Sequence, residues 1–339
     1  MHQSLATLHD PRALGIWVLG SLPLRGRRRL ARGHQKEPGA CASPDRLRAH
    51  HPTGGVTSLS RCARSTGVID AHVHLFPDRL FDAIWRWFDE HAWTIAHKVY
   101  ADDVVDRLEK AGANRAVGLL YAHQPGMAEG LNSWMGAFAR RRAMVIPCAT
   151  VHPRDEDVLG VLRRGRDVHG AKLVKQHCHV LGIAPDDPVM FPLYEARIEL
   201  GLPLNLHVGN GPKLPGYKAP SDAVSGAART EAVLVRYPEL RLIVPHLGCM
   251  EDDVFLSWLD RFPNLLLDTA MAMVPFLEGM NVGDRARLGD HPDRILFGTD
   301  FPNIPYPIET ELRALHALKL DEEALRAITH DAAVRVFGL

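Results

Sequence analysis

The stretch Val68-Ile69-Asp70-Ala71-His72-Val73-His74 predicts a buried strand that ends in two histidines. Side chains alternate between the two faces of a strand, so His72 and His74 lie on the same side. Two imidazoles on one face can bind a metal ion together. The pair alone is weak evidence, since paired surface histidines are common, and its meaning depends on the sequence that follows.

Short apolar runs alternate with amphipathic segments after this strand. Seven further runs predict strands at residues 116–120, 144–151, 171–174, 202–206, 242–244, 265–267 and 295–297. Helical patterns cover residues 102–111, 131–142, 155–166, 192–200, 228–237, 253–262, 308–318 and 322–336. Eight short strands with helices between them predict an α/β fold of the (β/α)8 TIM-barrel class. A doubly wound sheet is the alternative, but the sequence has no GxGxxG or GxxxxGKS phosphate loop.

The composition is that of a folded, charge-balanced protein. Hydrophobic residues make up 46% of the 339, which excludes a disordered polymer. Lys plus Arg and Asp plus Glu number 40 each, so there is no electrostatic footprint for nucleic acid. No apolar run approaches the roughly 20 residues of a membrane span. The five cysteines lack the spacing of a disulfide framework or a cysteine zinc site.

Residues 1–66 differ in charge from the rest of the chain. They hold eleven basic and three acidic side chains, a net charge of +8, so residues 67–339 carry −8. The apolar stretch Leu14–Leu24 precedes the run Arg-Gly-Arg-Arg-Arg, which reverses the order found in a secretory signal. We therefore expect a basic, disordered N-terminal extension over residues 1–66, a barrel domain over residues 67–339, and a cytoplasmic location.

Histidines concentrate at the carboxyl ends of the predicted strands, where the active sites of such barrels are built. Eight of the fourteen histidines in residues 67–339 lie there: His72, His74, His123, His152, His177, His179, His207 and His246. Asp300 follows the last predicted strand. This rim offers nitrogen and oxygen ligands suited to one Zn²⁺ ion, or to Mn²⁺: His72, His74, His207 and Asp300.

The sequence resembles the amidohydrolase superfamily, in its amidohydrolase-2 (aminocarboxymuconate-semialdehyde decarboxylase-like) branch. The opening motif is Val68–Phe76, and further similar segments follow in order at residues 174–177, 185–188, 193–196, 199–204, 245–248 and 297–302. The resemblance covers residues 67–339 only. These ordered motifs are specific for fold and metal site and much less specific for substrate.

The resemblance implies that one divalent metal, most simply zinc, is bound by the four rim residues named above. It also implies that His246 orients or deprotonates the catalytic water and that Asp300 shuttles a proton to the leaving group. Hydrolytic members attack a carbonyl group, whereas decarboxylating members deliver a proton to carbon as CO₂ leaves. A homodimer is an expectation from the resemblance alone.

The fourth predicted strand, at residues 171–174, leaves the role of the lysine that follows it open. Lys175 and His177 share a face, and Lys175 either bridges a second metal, as in binuclear relatives, or forms contacts within the barrel and orients substrate. His123, His152 and His179 either line the pocket or bond to nearby backbone groups. Alternation along the strand points Cys178 away from His177, so we do not include it in the site.

The loop after the first strand is rich in aromatic residues. Phe81, Trp85 and Phe88 have the i, i+4, i+7 spacing of an amphipathic helix that packs against the barrel. Arg86 and Trp87 lie off that stripe and are the candidates for a substrate lid, in which an aromatic face stacks on a planar acid and an arginine binds its carboxylate.

Three classes of function follow. The first is a metal-dependent hydrolase acting on the carbonyl of a small amide, ester or lactone. The second is a non-oxidative decarboxylase of a cyclic or unsaturated acid that uses the same ligands. The third is a non-catalytic barrel that serves as a binding module. We expect the hydrolase, with a carboxylic acid or its derivative as substrate, by analogy with the commoner chemistry of the superfamily.

Overall fold

The computed structural model describes residues 67–276 and 283–339. Within these ranges, eight parallel strands pair in sequence order to form one sheet. The strands are Val68–His74 (β1), Ala113–Leu119 (β2), Val145–Ala149 (β3), Leu173–His177 (β4), Leu204–His207 (β5), Leu242–Val244 (β6), Leu265–Asp268 (β7) and Ile295–Leu296 (β8). The predicted TIM barrel is confirmed, and the predicted N-terminal extension lies outside the described residues.

The segment after β8 brings the sheet round to β1. The amide of Ala71 donates to Phe297 O, that of Asp300 to His72 O and that of His74 to Phe301 O, each at 2.8 Å. The barrel is therefore nearly closed, and the same bonds fix Asp300 beside the two histidines at the end of β1.

Helices connect successive strands and cover the outside of the sheet. Those of eight or more residues are Asp78–His91 (α1), Ala101–Lys110 (α2), Ala128–Arg141 (α3), Val158–Asp167 (α4), Phe191–Leu200 (α6), Ala227–Arg236 (α8) and Thr310–Ala317 (α10). Shorter ones are Cys178–Leu181 (α5), Ser221–Val224 (α7), Asp252–Ser257 (α9), Glu322–Arg326 (α11) and Ala332–Phe337 (α12). α1, α5 and α7 follow β1, β4 and β5, so they lie in loops on the rim that carries the histidines.

Apolar periodicity explains the packing of these elements. α2 begins with acidic residues, which favours a helix N-terminus, and buries Val104, Val105 and Leu108 against the sheet. The short strand β6 and residues 265–267 of β7 are apolar on both faces because side chains fill the barrel on one side and helices cover the other.

Two predicted helices differ from the structure near their ends. The helix expected over residues 253–262 ends at Ser257, and tighter turns follow in which Leu259 N bonds to Leu256 O and Arg261 N to Trp258 O. Pro263 disfavours helical geometry at the residue before it, so these turns do not continue past Phe262. The last predicted helix is α11 and α12 joined by a π-helical turn at Ala327–Asp331.

A buried carboxylate joins β1 to the segment after β8. Asp70 accepts hydrogen bonds from the hydroxyl of Thr299 (2.6 Å), from Thr299 N (3.1 Å) and from His72 N (3.1 Å). Burial raises the pKa of Asp70 to about 7, against the effect of these donors. The same hydroxyl accepts from Phe301 N at 3.1 Å. Thr299 thus connects the two elements that close the barrel.

Replacing Thr299 by valine should lower the free energy of unfolding by about 1–3 kcal/mol, because Asp70 and Phe301 N lose a partner in a buried site. Urea denaturation measures the change. Thr230→Val is the control: Thr230 is also buried, but its hydroxyl donates to Gly226 O, which accepts Thr230 N as well. An equal loss in both variants would contradict the role given to Thr299.

Candidate metal centre at the barrel mouth

Two histidines and one aspartate converge at the carboxyl ends of β1 and β8. Asp300 Oδ1 lies 3.1 Å from His72 Nε2 and 3.1 Å from His74 Nε2, and all three side chains are buried. In the part of the chain that the structure describes, these three form the one group of His, Cys, Asp or Glu whose ligand atoms all lie within 4.8 Å of each other. The structure therefore brings together three of the four predicted metal ligands.

The convergent atoms have properties expected of a metal site. His72 Nε2 and Asp300 Oδ1 are buried and have no hydrogen-bond partner among the described residues, despite their short separation. Burial acts to raise the pKa of Asp300, but the adjacent imidazoles of His74 and His72 hold it well below its ordinary value. Neighbouring ligand atoms bonded to one zinc ion at about 2.0–2.2 Å lie at comparable separations.

Asp268, at the end of β7, orients His72. His72 Nδ1 lies 2.8 Å from Asp268 Oδ2, so this nitrogen carries the proton and the lone pair stays on Nε2, facing the cluster. A carboxylate behind a ligating histidine is the arrangement that fixes its tautomer in metal sites. Burial acts to raise the pKa of Asp268, yet the imidazole of His72 and the amide of His246 keep it below its ordinary value.

Asp268 is a functional residue that our sequence reasoning missed. The signal was present, because an aspartate follows the apolar run 265–267 at the rim. Only the fold shows that this carboxylate faces His72 on β1, which lies 196 positions earlier in the chain.

His246 lies in a strained turn after β6, two residues beyond the strand end. It has φ 58°, and the following Leu247 has φ 53°, a region that costs non-glycine residues energy. Its Nδ1 donates to Ala270 O at 2.7 Å, since a carbonyl only accepts, so the neutral ring has its lone pair on Nε2. Burial lowers the pKa of His246 to about 4, and the ring is therefore neutral at pH 7. Its centroid is 5.1 Å from that of His72.

His207, the fourth predicted ligand, ends β5 but lies outside the three-residue group. Its ring stacks on that of His177 with centroids 4.0 Å apart, and it is 4.7 Å from the ring of His246. Its Nε2 is 3.8 Å from Cys249 Sγ. Burial holds the pKa of His207 and that of His177 well below the ordinary value, so both rings are neutral at pH 7.

Lys175 is buried inside the barrel, on β4. Its Nζ donates to Asn205 Oδ1 at 2.7 Å, and Asn205 Nδ2 donates in turn to Asp268 Oδ2 at 3.2 Å. Burial lowers the pKa of Lys175 to about 8. The lysine is thus connected, through one amide side chain, to the carboxylate that orients His72.

Two tyrosines that the sequence analysis did not single out lie beside the histidines. Tyr121 follows β2, and its ring centroid is 5.9 Å from that of His74 and 5.5 Å from that of His177. Tyr217, in the loop after β5, is 5.4 Å from the ring of His179. The Nε2 of His179 is buried and has no partner among the described residues. The rings of Tyr121 and Tyr217 therefore lie beside the histidines at the mouth of the barrel.

The aromatic segment after β1 forms helix α1, as the i, i+4, i+7 pattern indicates. Phe81 and Trp85 are buried, whereas Arg86 is on the exposed face of the helix. Trp87 contacts the loop after β5: its Nε1 donates to Gly216 O at 3.2 Å, and its ring lies 5.0 Å from that of Tyr217. Of the two predicted lid residues, Trp87 therefore contacts a loop that borders the site.

The other two predicted rim histidines, His123 and His152, form hydrogen bonds with nearby loop residues. The backbone oxygen of His123 accepts a hydrogen bond from Lys218 Nζ, and His152 Nδ1 accepts one from Arg154 N. Cys178 is buried at the start of α5.

Comparison with known proteins identifies the family. An amidohydrolase family model matches residues 69–339. The chain belongs to the amidohydrolase family. It is an enzyme of the amidohydrolase superfamily, which excludes the third class considered above, a non-catalytic barrel. A search of curated protein sequences finds no match.

Solved structures similar to this amidohydrolase share its fold at low sequence identity. The 5-carboxyvanillate decarboxylase of Novosphingobium aromaticivorans, bound to manganese, is 16% identical with a TM-score of 0.58, over 81% of this chain and 97% of that one. The 2,6-dihydroxybenzoate decarboxylase of Rhizobium is 18% identical with a TM-score of 0.58, over 80% and 99%. A candidate 2-pyrone-4,6-dicarboxylic acid hydrolase of Pseudomonas putida is 16% identical with a TM-score of 0.58, over 80% and 97%.

Among the helices of residues 67–276 and 283–339, none has the length and apolar content needed to cross a membrane.

Replacing Trp87 by phenylalanine should loosen the loop after β5, because Gly216 O loses its indole donor while an aromatic side chain is kept at this position. We expect amide hydrogen exchange over residues 211–220 to accelerate about fivefold, in line with the loss of about 1 kcal/mol. Trp134→Phe is the control, since Trp134 stacks on Phe138 within α3. Unchanged exchange in the Trp87 variant would contradict this contact.

Proposed function

We propose that this amidohydrolase is a metal-dependent hydrolase that cleaves a small amide, ester or lactone, with His246 as the base that acts on the attacking water. The observation that carries the proposal is the orientation of His246. Its Nδ1–H is held by Ala270 O, which leaves a neutral Nε2 acceptor on a ring 5.1 Å from that of His72. A base must accept a proton at neutral pH, and this imidazole is neutral there.

The proposed metal site consists of His72, His74 and Asp300, with His207 as the fourth ligand. The first three fit such a site, because their ligand atoms converge and two of them are buried without partners. Imidazole and carboxylate ligands suit Zn²⁺, our first expectation, and also Mn²⁺. A divalent cation bound there would lower the pKa of water towards about 7 and polarise a carbonyl.

The remaining residues have positioning roles in this proposal. Asp268 holds His72 in the tautomer that can bind a cation, and Asn205 and Lys175 hold Asp268 in turn. Asp300, whose Oδ1 faces both histidines, is the group we assign to carry a proton towards the leaving group.

Decarboxylation is the second candidate, favoured by the two decarboxylases among the structures of the same fold. It would use the same ligands, but it needs a protonated group that delivers H⁺ to carbon. In neutral His246 the one ring proton is on Nδ1 and is donated to Ala270 O, so Nε2 can accept a proton but has none to deliver to carbon. This difference is why we place hydrolysis first.

Metal content tests the site directly. Protein purified without chelators from metal-supplemented culture should contain about one divalent ion per chain by elemental analysis. His72→Ala and Asp300→Asn should lose most of it, and His207→Ala should weaken binding, each with an unchanged circular dichroism spectrum. His316→Ala, on the exposed face of α10, is the control. A folded wild-type barrel without metal would refute the proposed mechanism, and two ions per chain would assign Lys175 to a second site.

Activity tests the role of His246. Zinc-loaded enzyme should hydrolyse simple probes, p-nitrophenyl acetate and dihydrocoumarin, and His246→Gln should lower kcat about 10²- to 10⁴-fold with its metal content unchanged. His316→Gln is the matched control. Release of CO₂ from 2,6-dihydroxybenzoate without hydrolysis of either probe would instead favour the decarboxylase.

A further inference from the structure

His246 and the carbonyl group that orients it both lie next to strained backbone. His246 and Leu247 have φ 58° and 53° in the turn after β6. Met271, which directly follows Ala270 in the loop after β7, has φ 50°. Residues other than glycine keep such conformations only where surrounding contacts fix them. The bond from His246 Nδ1 to Ala270 O, 2.7 Å long, therefore depends on the contacts that hold these two segments.

The buried side chain of Arg285 bonds to both segments. Its Nε donates to Ala272 O at 2.8 Å, and Ala272 lies two residues after Ala270. Its Nη1 donates to Asp252 Oδ2 at 2.5 Å, and Asp252 is the first residue of α9, which follows the turn that carries His246. One guanidinium thus joins the two segments whose relative position sets the bond between His246 and Ala270 O.

The ion pair of Arg285 with Asp252 is deeply buried. The two side chains are 5% and 12% exposed, whereas Arg142 and Asp102, which pair between α2 and the end of α3, are 21% and 59% exposed. Desolvation of a buried ion pair often cancels the attraction between its charges, so such a pair adds little net stability. Its short, directional bonds from a rigid guanidinium instead favour a role in fixing geometry.

Asp268 joins the same two segments at a different point. Its Oδ1 accepts hydrogen bonds from His246 N and Ala270 N, each at 3.1 Å, so it holds the first residues of both segments. Arg285 bonds to residues that come later in each segment, Ala272 and Asp252. A single attachment leaves two segments free to pivot about each other, whereas two separate attachments fix their orientation. The second attachment is the one that Arg285 supplies.

We infer that Arg285 is a positioning residue for His246. By holding Ala272 O and Asp252 together, it keeps Ala270 O aligned with the Nδ1–H of the imidazole. Both hydrogen bonds that Arg285 forms among the described residues go to these two partners, so it acts on His246 through the backbone. The inference rests on the proposed function for the role of His246 as the base.

The ring proton of His246 tests this assignment independently of activity. In NMR spectra of the zinc-loaded full chain with isotope-labelled histidine, His246 Nδ1–H should give a hydrogen-bonded signal that is lost in His246→Gln. Arg285→Met should make this proton exchange with water about tenfold faster, because the segment that carries Ala270 O opens more readily. Arg285→Lys keeps the charge but lacks the guanidinium fork, so it should accelerate exchange by a smaller factor.

Hydrolysis measures the consequence for catalysis. With p-nitrophenyl acetate, Arg285→Met should lower kcat about 10- to 100-fold and leave KM within about twofold, since a displaced base slows the reaction rather than weakening substrate binding. Arg142→Met is the matched control, because Arg142 pairs with Asp102 at 3.2 Å and with Asp106 between two outer helices. This control should keep both kcat and the exchange rate of the His246 ring proton.

Other outcomes overturn the assignment. Exchange of the His246 ring proton at the wild-type rate in a folded Arg285→Met or Arg285→Lys variant would refute it. So would an equal acceleration in Arg142→Met, which would indicate a general loss of stability. Failure of the proposed function would appear separately, as a wild-type protein that hydrolyses neither probe, and the exchange of the ring proton would still decide the role of Arg285.

Discussion

The carboxylate of Asp268 is the constraint on which the rest of the site depends. It contacts four groups from four elements: the imidazole of His72, the backbone amides of His246 and Ala270, and the side chain of Asn205. Through these bonds one buried anion sets the tautomer of His72, a proposed metal ligand, and the position of His246, the proposed base, and it holds the Asn205 side chain to which Lys175 donates. A buried carboxylate is tolerated only when its hydrogen bonds are satisfied, and here the donors include both His72 and His246 of the candidate site.

Closure of the barrel supplies the second constraint. Asp300 is held by its own amide, which donates to His72 O, and it adopts φ 67°, a conformation that an aspartate accepts only where surrounding contacts fix it. The hydrogen bond from the hydroxyl of Thr299 to the carboxylate of Asp70 joins the same two segments. The contact between the segment after β8 and β1 completes the sheet. The same contact places the carboxylate of Asp300 beside the imidazoles of His72 and His74.

Burial of many imidazoles together has an electrostatic consequence. His177, His207 and His246 are crowded at the mouth, and each has its pKa lowered by burial, so all three are neutral at pH 7. Neutral imidazoles are the form that binds metals and accepts protons.

The sequence by itself determined the barrel and most of its chemistry. Apolar runs alternating with amphipathic segments specify strands and helices locally, and the position of a polar residue after a strand places it on the rim, which is why His72, His74 and Asp300 could be named. It did not show which rim residues touch. His207 ends its strand as expected yet stacks on His177, and Asp268 stands behind His72 although the sequence analysis passed over it. Tyr217 and Gly216, both contacted by Trp87, lie on the loop after β5, whose path has no periodic signal. Strand order and loop path are set by long-range packing, so the pairing of side chains far apart in the chain was decided only by the tertiary structure.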